Sequence, residues 1–168
     1  MQSASLHLRP ARSSDAARIA EVYNQGIQER VATFETRERS AAEVAAWLDD
    51  PRYPVVVAEA GGAVVGWAAA SSYRTRDCYA GIAEFSVYVA REARGRGVGR
   101  RLMGAFLEAC RRAGFWKLVS RVFPENTASL ALLAACGFRE VGVYQRHAQL
   151  DGVWRDVVIV ERLLGDAG

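Results

Sequence analysis

A glycine-rich segment between a strand and a helix constrains this chain more than any other feature. Residues 82–89 are rich in β-branched and aromatic side chains, which is typical of a buried strand. Glycines then occupy positions 95, 97 and 99, and apolar residues recur at helical spacing from 98 to 113. Such a turn directs several backbone N–H groups into one space at a helix N-terminus, where the helix dipole favours an anion. The segment therefore predicts a phosphate or pyrophosphate site, and the charge beside it comes from Arg94, Arg96, Arg100 and Arg101.

Known phosphate-binding motifs narrow the choice of ligand. A P-loop needs Lys followed by Ser or Thr after its last glycine, whereas Arg100 and Arg101 follow Gly99. A dinucleotide fingerprint needs a wider glycine spacing and a later acidic residue, and both are missing here. The pattern Arg94-x-x-Gly97-x-Gly99 instead resembles that of the GNAT family of N-acetyltransferases. A surface turn decorated with arginines is the structural alternative.

The resemblance implies that this loop holds the pyrophosphate of acetyl-CoA. It assigns cofactor binding to the loop residues Arg94, Gly95, Arg96, Gly97, Val98, Gly99 and Arg100. Strand residues just before the loop are expected to contact the pantetheine arm, in the way that an added strand pairs with a sheet edge. These residues are Val87, Tyr88 and Val89.

The order of predicted elements indicates one mixed α/β domain over residues 1–168. Hydrophobic residues make up 51% of the 168 residues, which is enough for a sizeable core. Strands are predicted at 6–9, 55–59, 63–71, 82–89, 117–122, 138–150 and 153–163, and helices at 16–28, after Ser40, at 98–113 and at 126–135. This order, β-α-α-β-β-β-α-β-α-β-β, matches the GNAT fold, which implies a mixed, mostly antiparallel central sheet with flanking helices.

Charge and cysteine usage argue against several other classes of protein. The net charge is +3, and the arginines cluster in the glycine-rich loop rather than along a stripe, so we expect no nucleic-acid partner. We also expect no membrane span and no secretory segment, because no apolar run has the necessary length or position. The three cysteines lack the spacing of zinc ligands or of a disulfide framework, which predicts no metal and a reducing, cytoplasmic location.

A second segment also points to acyl-CoA binding. Asn126 and Ser129 lie one helical turn apart, and Gly137-Phe138 follow. This arrangement resembles the Asn-x-x-Ser…Gly-Phe segment of the family and assigns Asn126 and Ser129 to the cofactor, although a plain helix N-cap would explain Asn126 alone. Many family members carry a tyrosine five residues before that phenylalanine. Leu133 stands there in this chain, so no tyrosine is assigned to protonate the CoA thiolate.

Segments along nearly the whole chain resemble the phosphinothricin N-acetyltransferase group of this family. They are Asn24, Thr33-Phe34, Tyr53-Pro54 and residues 73–79, 83–89 and 152–157. The resemblance implies direct acetyl transfer from acetyl-CoA to the α-amine of a small amino acid or toxic analogue, such as phosphinothricin or methionine sulfoximine. The amine must lose a proton before it attacks, and Glu84 is a carboxylate at the start of an otherwise apolar strand. Glu84 is therefore the predicted general base, with an exposed acid at a strand start as the alternative.

Acidic groups on such a substrate would need cationic partners. Arg74 and Arg76 lie in one loop, and a guanidinium binds a carboxylate or phosphinate through two parallel hydrogen bonds. Tyr79 adds a hydroxyl to the same loop, and Phe34 is the candidate lid residue. An ordinary solvated loop is the alternative for the arginines, and a core position is the alternative for Phe34.

Two residues near the C-terminus depart from the pattern of that group. His147 stands where a small residue is expected, and it is a candidate auxiliary base or substrate contact, with a structural role as the alternative. Asp151 stands where a histidine can occur and is a candidate substrate contact. Other acceptors therefore stay open: a peptide N-terminus, a polyamine or an aminoglycoside. A non-catalytic acyl-CoA-binding domain is the alternative from a different class, and the resemblance also implies a homodimer.

Overall fold

The computed structural model describes residues 5–165, and within them the predicted order of helices and strands is confirmed. The strands are β1 (Leu6–Pro10), β2 (Val55–Ala60), β3 (Ala63–Ser72), β4 (Ile82–Val89), β5 (Lys117–Val122), β6 (Arg139–Leu150) and β7 (Val153–Leu163). The α-helices are α1 (Ala16–Glu29), α2 (Ala41–Trp47), α3 (Val98–Arg112) and α4 (Thr127–Ala135).

The strands form one sheet in the order β1-β2-β3-β4-β5-β7-β6. Every neighbouring pair is antiparallel except β4 and β5, which run parallel. A parallel pair needs a crossover connection, and α3 supplies it. The mostly antiparallel sheet predicted from the sequence is therefore confirmed.

The parallel pair separates soon after it begins. β4 pairs with β5 only from Ile82 to Glu84, whereas its pairing with β3 continues as far as Val89. Beyond Glu84, no strand among residues 5–165 pairs with the β4 edge that faces β5. The Ser120 hydroxyl donates to the Phe85 carbonyl at 3.0 Å, which identifies the direction of that edge. Backbone groups of alternate residues point the same way, so those of Val87 and Val89 also face the gap.

Side chains of β4 connect the sheet to helices on both of its faces. Phe85 contacts Phe106 of α3 with ring centroids 5.7 Å apart, and Tyr88 contacts Tyr23 of α1 at 5.0 Å. The alternation of side chains along a strand therefore assigns α1 to one face and α3 to the other. Trp67 of β3 and Phe106 are among the largest fully buried side chains of the core. None of the helices described in residues 5–165 is both long enough and apolar enough to cross a membrane.

Candidate active site

The N-terminus of α3 is open to a ligand. Gly97 is its N-cap in the left-handed conformation (φ 77°), and no side chain caps the helix. The first bond into the helix runs from the Arg101 N–H to the Gly97 carbonyl at 3.3 Å. The N–H groups of residues 98–100 therefore have no partner within the helix, as is usual for a first turn. By contrast, the N-terminus of α2 is capped by the Ser40 side chain. The N-terminus of α3 has no such cap because glycine, which has no side chain, is its N-cap residue.

A cavity of about 520 Å³ lies between this helix end, the free edge of β4 and the start of α4. It brings together all the predicted cofactor residues except Arg96: Val87, Tyr88, Val89, Arg94, Gly95, Gly97, Val98, Gly99, Arg100, Asn126 and Ser129. Asn126 also caps α4, because its side-chain oxygen accepts a hydrogen bond from the Ser129 N–H at 3.2 Å. Asn126 thus both caps α4 and lines the cavity. The assignment of these residues to a cofactor stays a prediction.

All three nitrogens of the Arg94 guanidinium donate hydrogen bonds within the protein. Two of its nitrogens donate to the two carboxylate oxygens of Glu29 at 2.7 Å each, and its Nε donates to the Val89 carbonyl at 3.1 Å. The bonds to Glu29 raise the pKa of Arg94, and those from Arg94 lower the pKa of Glu29. Arg94 therefore fastens the glycine loop to α1 and β4 while it lines the cavity.

A second cavity, of about 360 Å³, adjoins the first on the α1 face of the sheet. Ala32 and Tyr88 line both cavities, so the two spaces meet beside the free edge of β4. Tyr23, Thr33 and Phe34 form the wall that faces the sheet. Burial raises the pKa of the Tyr23 and Tyr88 phenols, which keeps both hydroxyls protonated and available as donors.

Glu84 lines the second cavity, and Arg121 lies beside it. The Glu84 Oε1 and Arg121 Nη2 atoms are 3.4 Å apart, and the side chains are 30% and 46% exposed. Glu84 pairs with Val119 in the parallel register, and Arg121 is two residues further along β5, so the two side chains share one face of the sheet. The Arg121 guanidinium therefore lies directly beside the predicted base.

His147 reaches the second cavity because β6 is irregular. Tyr144 pairs with Val157 and Ala148 pairs with Arg155, so three residues of β6 oppose one residue of β7. Arg146 has a φ of 46°, and its N–H donates to Asp156 Oδ1 at 2.8 Å. Bulges re-aim side chains next to functional sites, and this one directs His147 into the cavity. Phe34, whose ring lies 4.7 Å from that of Phe123, is the other predicted substrate residue found there.

The other predicted substrate residues line neither cavity. Tyr79 packs against Tyr73 at 5.8 Å, and the Arg74 guanidinium lies 5.1 Å from the Tyr73 ring on an exposed loop that also carries Arg76. Asp151 lies in the turn between β6 and β7, where its carboxylate is 3.2 Å from Arg30. Their roles toward a substrate stay predictions.

The sequence-based prediction missed Arg121, Tyr23 and Ser120, all of which line the second cavity. The place of Arg121 and Ser120 is known only from the β4–β5 register, because β5 is far from β4 along the chain. The place of Tyr23 depends on the packing of α1 against β4. Leu133, at the position where many family members carry a tyrosine, is 2% exposed and belongs to the core. Within the described part of the chain, no group of three His, Cys, Asp or Glu side chains is arranged to hold a metal ion.

Comparison with known proteins gives matches in sequence and in fold. Residues 19–138 match the acetyltransferase (GNAT) family. The chain is 35% identical over 161 residues to phosphinothricin N-acetyltransferase of Alcaligenes faecalis, covering 94% of this chain and 82% of that protein. It is 29% identical over 162 residues to L-methionine sulfoximine/L-methionine sulfone acetyltransferase of Salmonella typhimurium, covering 95% of each. A phosphinothricin acetyltransferase from Sinorhizobium meliloti, solved in complex with acetyl-CoA, is similar with a TM-score of 0.89 and 34% identity over 96% of this chain and 89% of that one.

Proposed function

The chain belongs to the acetyltransferase (GNAT) family and uses acetyl-CoA, and we propose that its acceptor is the α-amine of a small amino acid or amino-acid analogue. The observation that carries this proposal is the meeting of two cavities at the free edge of β4, with Glu84 on the acceptor side. An acyl donor in the first cavity and an amine in the second would come together at that edge. The similarity to enzymes named for phosphinothricin and methionine sulfoximine supports an acceptor of that class.

The residues of the first cavity fit acetyl-CoA. The uncapped first turn of α3 offers N–H donors to a pyrophosphate, and Arg100 beside it adds a positive charge. The backbone groups of Val87 and Val89 face the gap between β4 and β5, where an amide-bearing pantetheine arm can pair with them. A backbone N–H at this edge would also polarise the thioester carbonyl.

The residues of the second cavity fit an amine acceptor. Glu84 takes one proton from the substrate ammonium, directly or through one water, and leaves a nitrogen lone pair. That nitrogen forms a C–N bond to the acetyl carbon as the C–S bond breaks, in direct transfer within a ternary complex, and it then releases a second proton to water, which leaves the neutral amide. With Leu133 in the core, the CoA sulfur leaves as the thiolate or takes its proton from water. His147 and Phe34 line the space for the rest of the substrate, and the loop residues Arg74, Arg76 and Tyr79, together with Asp151, remain proposed outer contacts.

The test is release of CoA thiol from acetyl-CoA with a panel of amines. The panel holds phosphinothricin, methionine sulfone, methionine sulfoximine, ordinary amino acids, spermidine, an aminoglycoside and a short peptide. Glu84→Gln is expected to lower kcat/KM by about 10²- to 10⁴-fold, the usual size of general-base catalysis. Acetyl-CoA affinity should stay unchanged, because the Glu84 side chain lies in the acceptor cavity.

Asp49→Asn is the matched control, since it makes the same acid-to-amide change at an exposed turn. Turnover confined to cations or peptides would discard the proposed acceptor while keeping the cofactor. Silence across the panel with acetyl-CoA still bound would favour a non-catalytic acyl-CoA-binding domain.

We also infer a homodimer formed through the outer edge of the sheet. β6 is an edge strand, and its apolar side chains Val141 and Val143 are about half exposed, as are Val153 and Trp154 of β7. An exposed apolar edge strand is a template for pairing with another chain, and a second copy offers a strand of the same kind.

The three cysteines are free, which fits the reducing cytoplasm as the proposed location.

A further inference from the structure

We propose that Arg121 binds the acidic group of the acceptor, and that the Glu84–Arg121 pair recognises the zwitterion of an α-amino acid. This inference rests on the proposed function. It assigns to Arg121 of β5 the binding of the acidic group, which the sequence suggested for Arg74 and Arg76. It identifies a specificity-determining residue within the second cavity, on the strand next to the predicted base.

The charges of the second cavity support this assignment. Its acidic and basic wall residues are Glu84, Arg121 and His147, while the remainder are aromatic, hydroxyl or aliphatic side chains. Glu84 and Arg121 share one face of the sheet, and both are partly open to the cavity at 30% and 46% exposure. A negative and a positive group are thus presented together to any small molecule that enters.

The hydrogen-bonding state of Arg121 leaves room for a ligand. Its contact with Glu84 joins one nitrogen to one oxygen at 3.4 Å, and no other partner of its guanidinium occurs among residues 5–165. A guanidinium carries five N–H donors, so most of them remain for a carboxylate. Arg94 differs in this respect, because all three of its nitrogens already donate to Glu29 or to the Val89 carbonyl.

The chemistry of an α-amino acid matches this pair. Its ammonium and carboxylate are attached to the same carbon, so both groups can contact two opposite charges that lie only 3.4 Å apart. With the ammonium at Glu84 and the carboxylate at Arg121, every charge has an opposite neighbour, and the nitrogen lies at the predicted base. A polyamine or simple amine would satisfy Glu84 alone and would be repelled by Arg121. Arg121 therefore selects amino acids over other amines.

The experiment compares the best amino-acid acceptor of the panel with its α-carboxamide, which lacks the negative charge. Arg121→Gln is expected to lower kcat/KM for the acid roughly 10- to 100-fold, mainly through KM, because hydrogen bonds to a charged group are lost. The same variant should change kcat/KM for the carboxamide by less than about 3-fold, since the charge that Arg121 recognises is already missing. Arg121→Lys keeps a point charge without the paired donors, so its KM for the acid should lie between those of Arg121→Gln and the unmodified enzyme.

Arg112→Gln serves as the control, because it removes an exposed arginine from α3 on the other face of the sheet. Equal KM values for the acid in Arg121→Gln, Arg121→Lys and the unmodified enzyme would overturn the inference, as would an acid-specific loss in Arg74→Gln instead. If Glu84→Gln still abolishes turnover of amino acids in that case, the proposed function stands without it. If no amino acid is acetylated by the unmodified enzyme, both the proposed function and the inference fail.

Discussion

Gly26→Ala should disturb both cavities through one methyl group. A Cβ at this position of α1 would lie 2.4 Å from Tyr88 Cε1 and 2.7 Å from Cδ1. The ring cannot move away easily, because it stacks on Trp67 with centroids 5.0 Å apart and meets Tyr23 edge-on at 5.0 Å. Since Tyr88 lines both cavities, a displaced ring changes the place where we propose that donor and acceptor meet.

Two opposing effects determine how much Gly26→Ala changes the free energy of unfolding. Alanine is a better helix former than glycine by about 1 kcal/mol, whereas an extra methyl in a packed site costs about 1–3 kcal/mol. Gly104→Ala isolates the first effect, because a Cβ on that exposed position of α3 meets nothing within 4 Å. Gly104→Ala should therefore raise the free energy of unfolding by about 1 kcal/mol. Gly26→Ala should fall below Gly104→Ala by about 1–3 kcal/mol, which is about 2–12 °C in Tm for a chain of this length.

Thermal unfolding and thiol release measure the two consequences. Gly26→Ala should lower kcat/KM roughly 10-fold or more, because small displacements of positioning groups are costly, while Gly104→Ala should leave it unchanged. Tyr88→Leu removes the ring atoms in question, so Gly26→Ala should cost less stability in that background. Equal Tm and equal activity for Gly26→Ala and Gly104→Ala would refute the reasoning.

Three further outcomes are expected. Gly97→Ala and Gly62→Ala both place a side chain at positive φ (77° and 79°), and each should lower the free energy of unfolding in urea by about 1–2 kcal/mol. Only Gly97→Ala should also weaken acetyl-CoA binding, measured by calorimetry. The Arg9 guanidinium, which donates to both carboxylate oxygens of Asp15 at 2.8 and 2.9 Å, lowers the pKa of that buried acid. Asp15→Asn should therefore lower the free energy of unfolding by about 3 kcal/mol at pH 7. This loss should shrink as the pH falls through the depressed folded-state pKa, because the stabilisation exists only while Asp15 is ionised. A constant loss from pH 7 to pH 2 would contradict the prediction. Val143→Lys puts a charge on the proposed dimer edge and should give a monomer in sedimentation velocity, whereas a dimer that persists would contradict an interface at this edge.

Local patterns in the sequence determined the helices, the strands and the conformation of the glycine-rich loop. The α2 cap at Ser40, the α4 cap at Asn126 and the left-handed residues Asp151 and Gly152 of the last turn all involve neighbours within a few positions. The glycines at 95 and 97 have the positive φ that made them informative. Such features are set by near-neighbour sterics and hydrogen bonds, so a single sequence is enough to predict them.

Only the tertiary structure decided how the second cavity, the proposed acceptor site, is built. The separation of β4 from β5 after Glu84, and with it the place of Arg121, depends on the register of strands that are distant along the chain. Arg94 bonds Glu29 across 65 positions, a contact that no local pattern contains. The β6 bulge that directs His147 into the cavity depends on the pairing of β6 with β7. Strand register follows from the packing of buried faces, which involves the whole chain at once, and this is why Arg121 and Ser120 could not be assigned to the second cavity from sequence alone, whereas Glu84, Phe34 and His147 could be named as candidates.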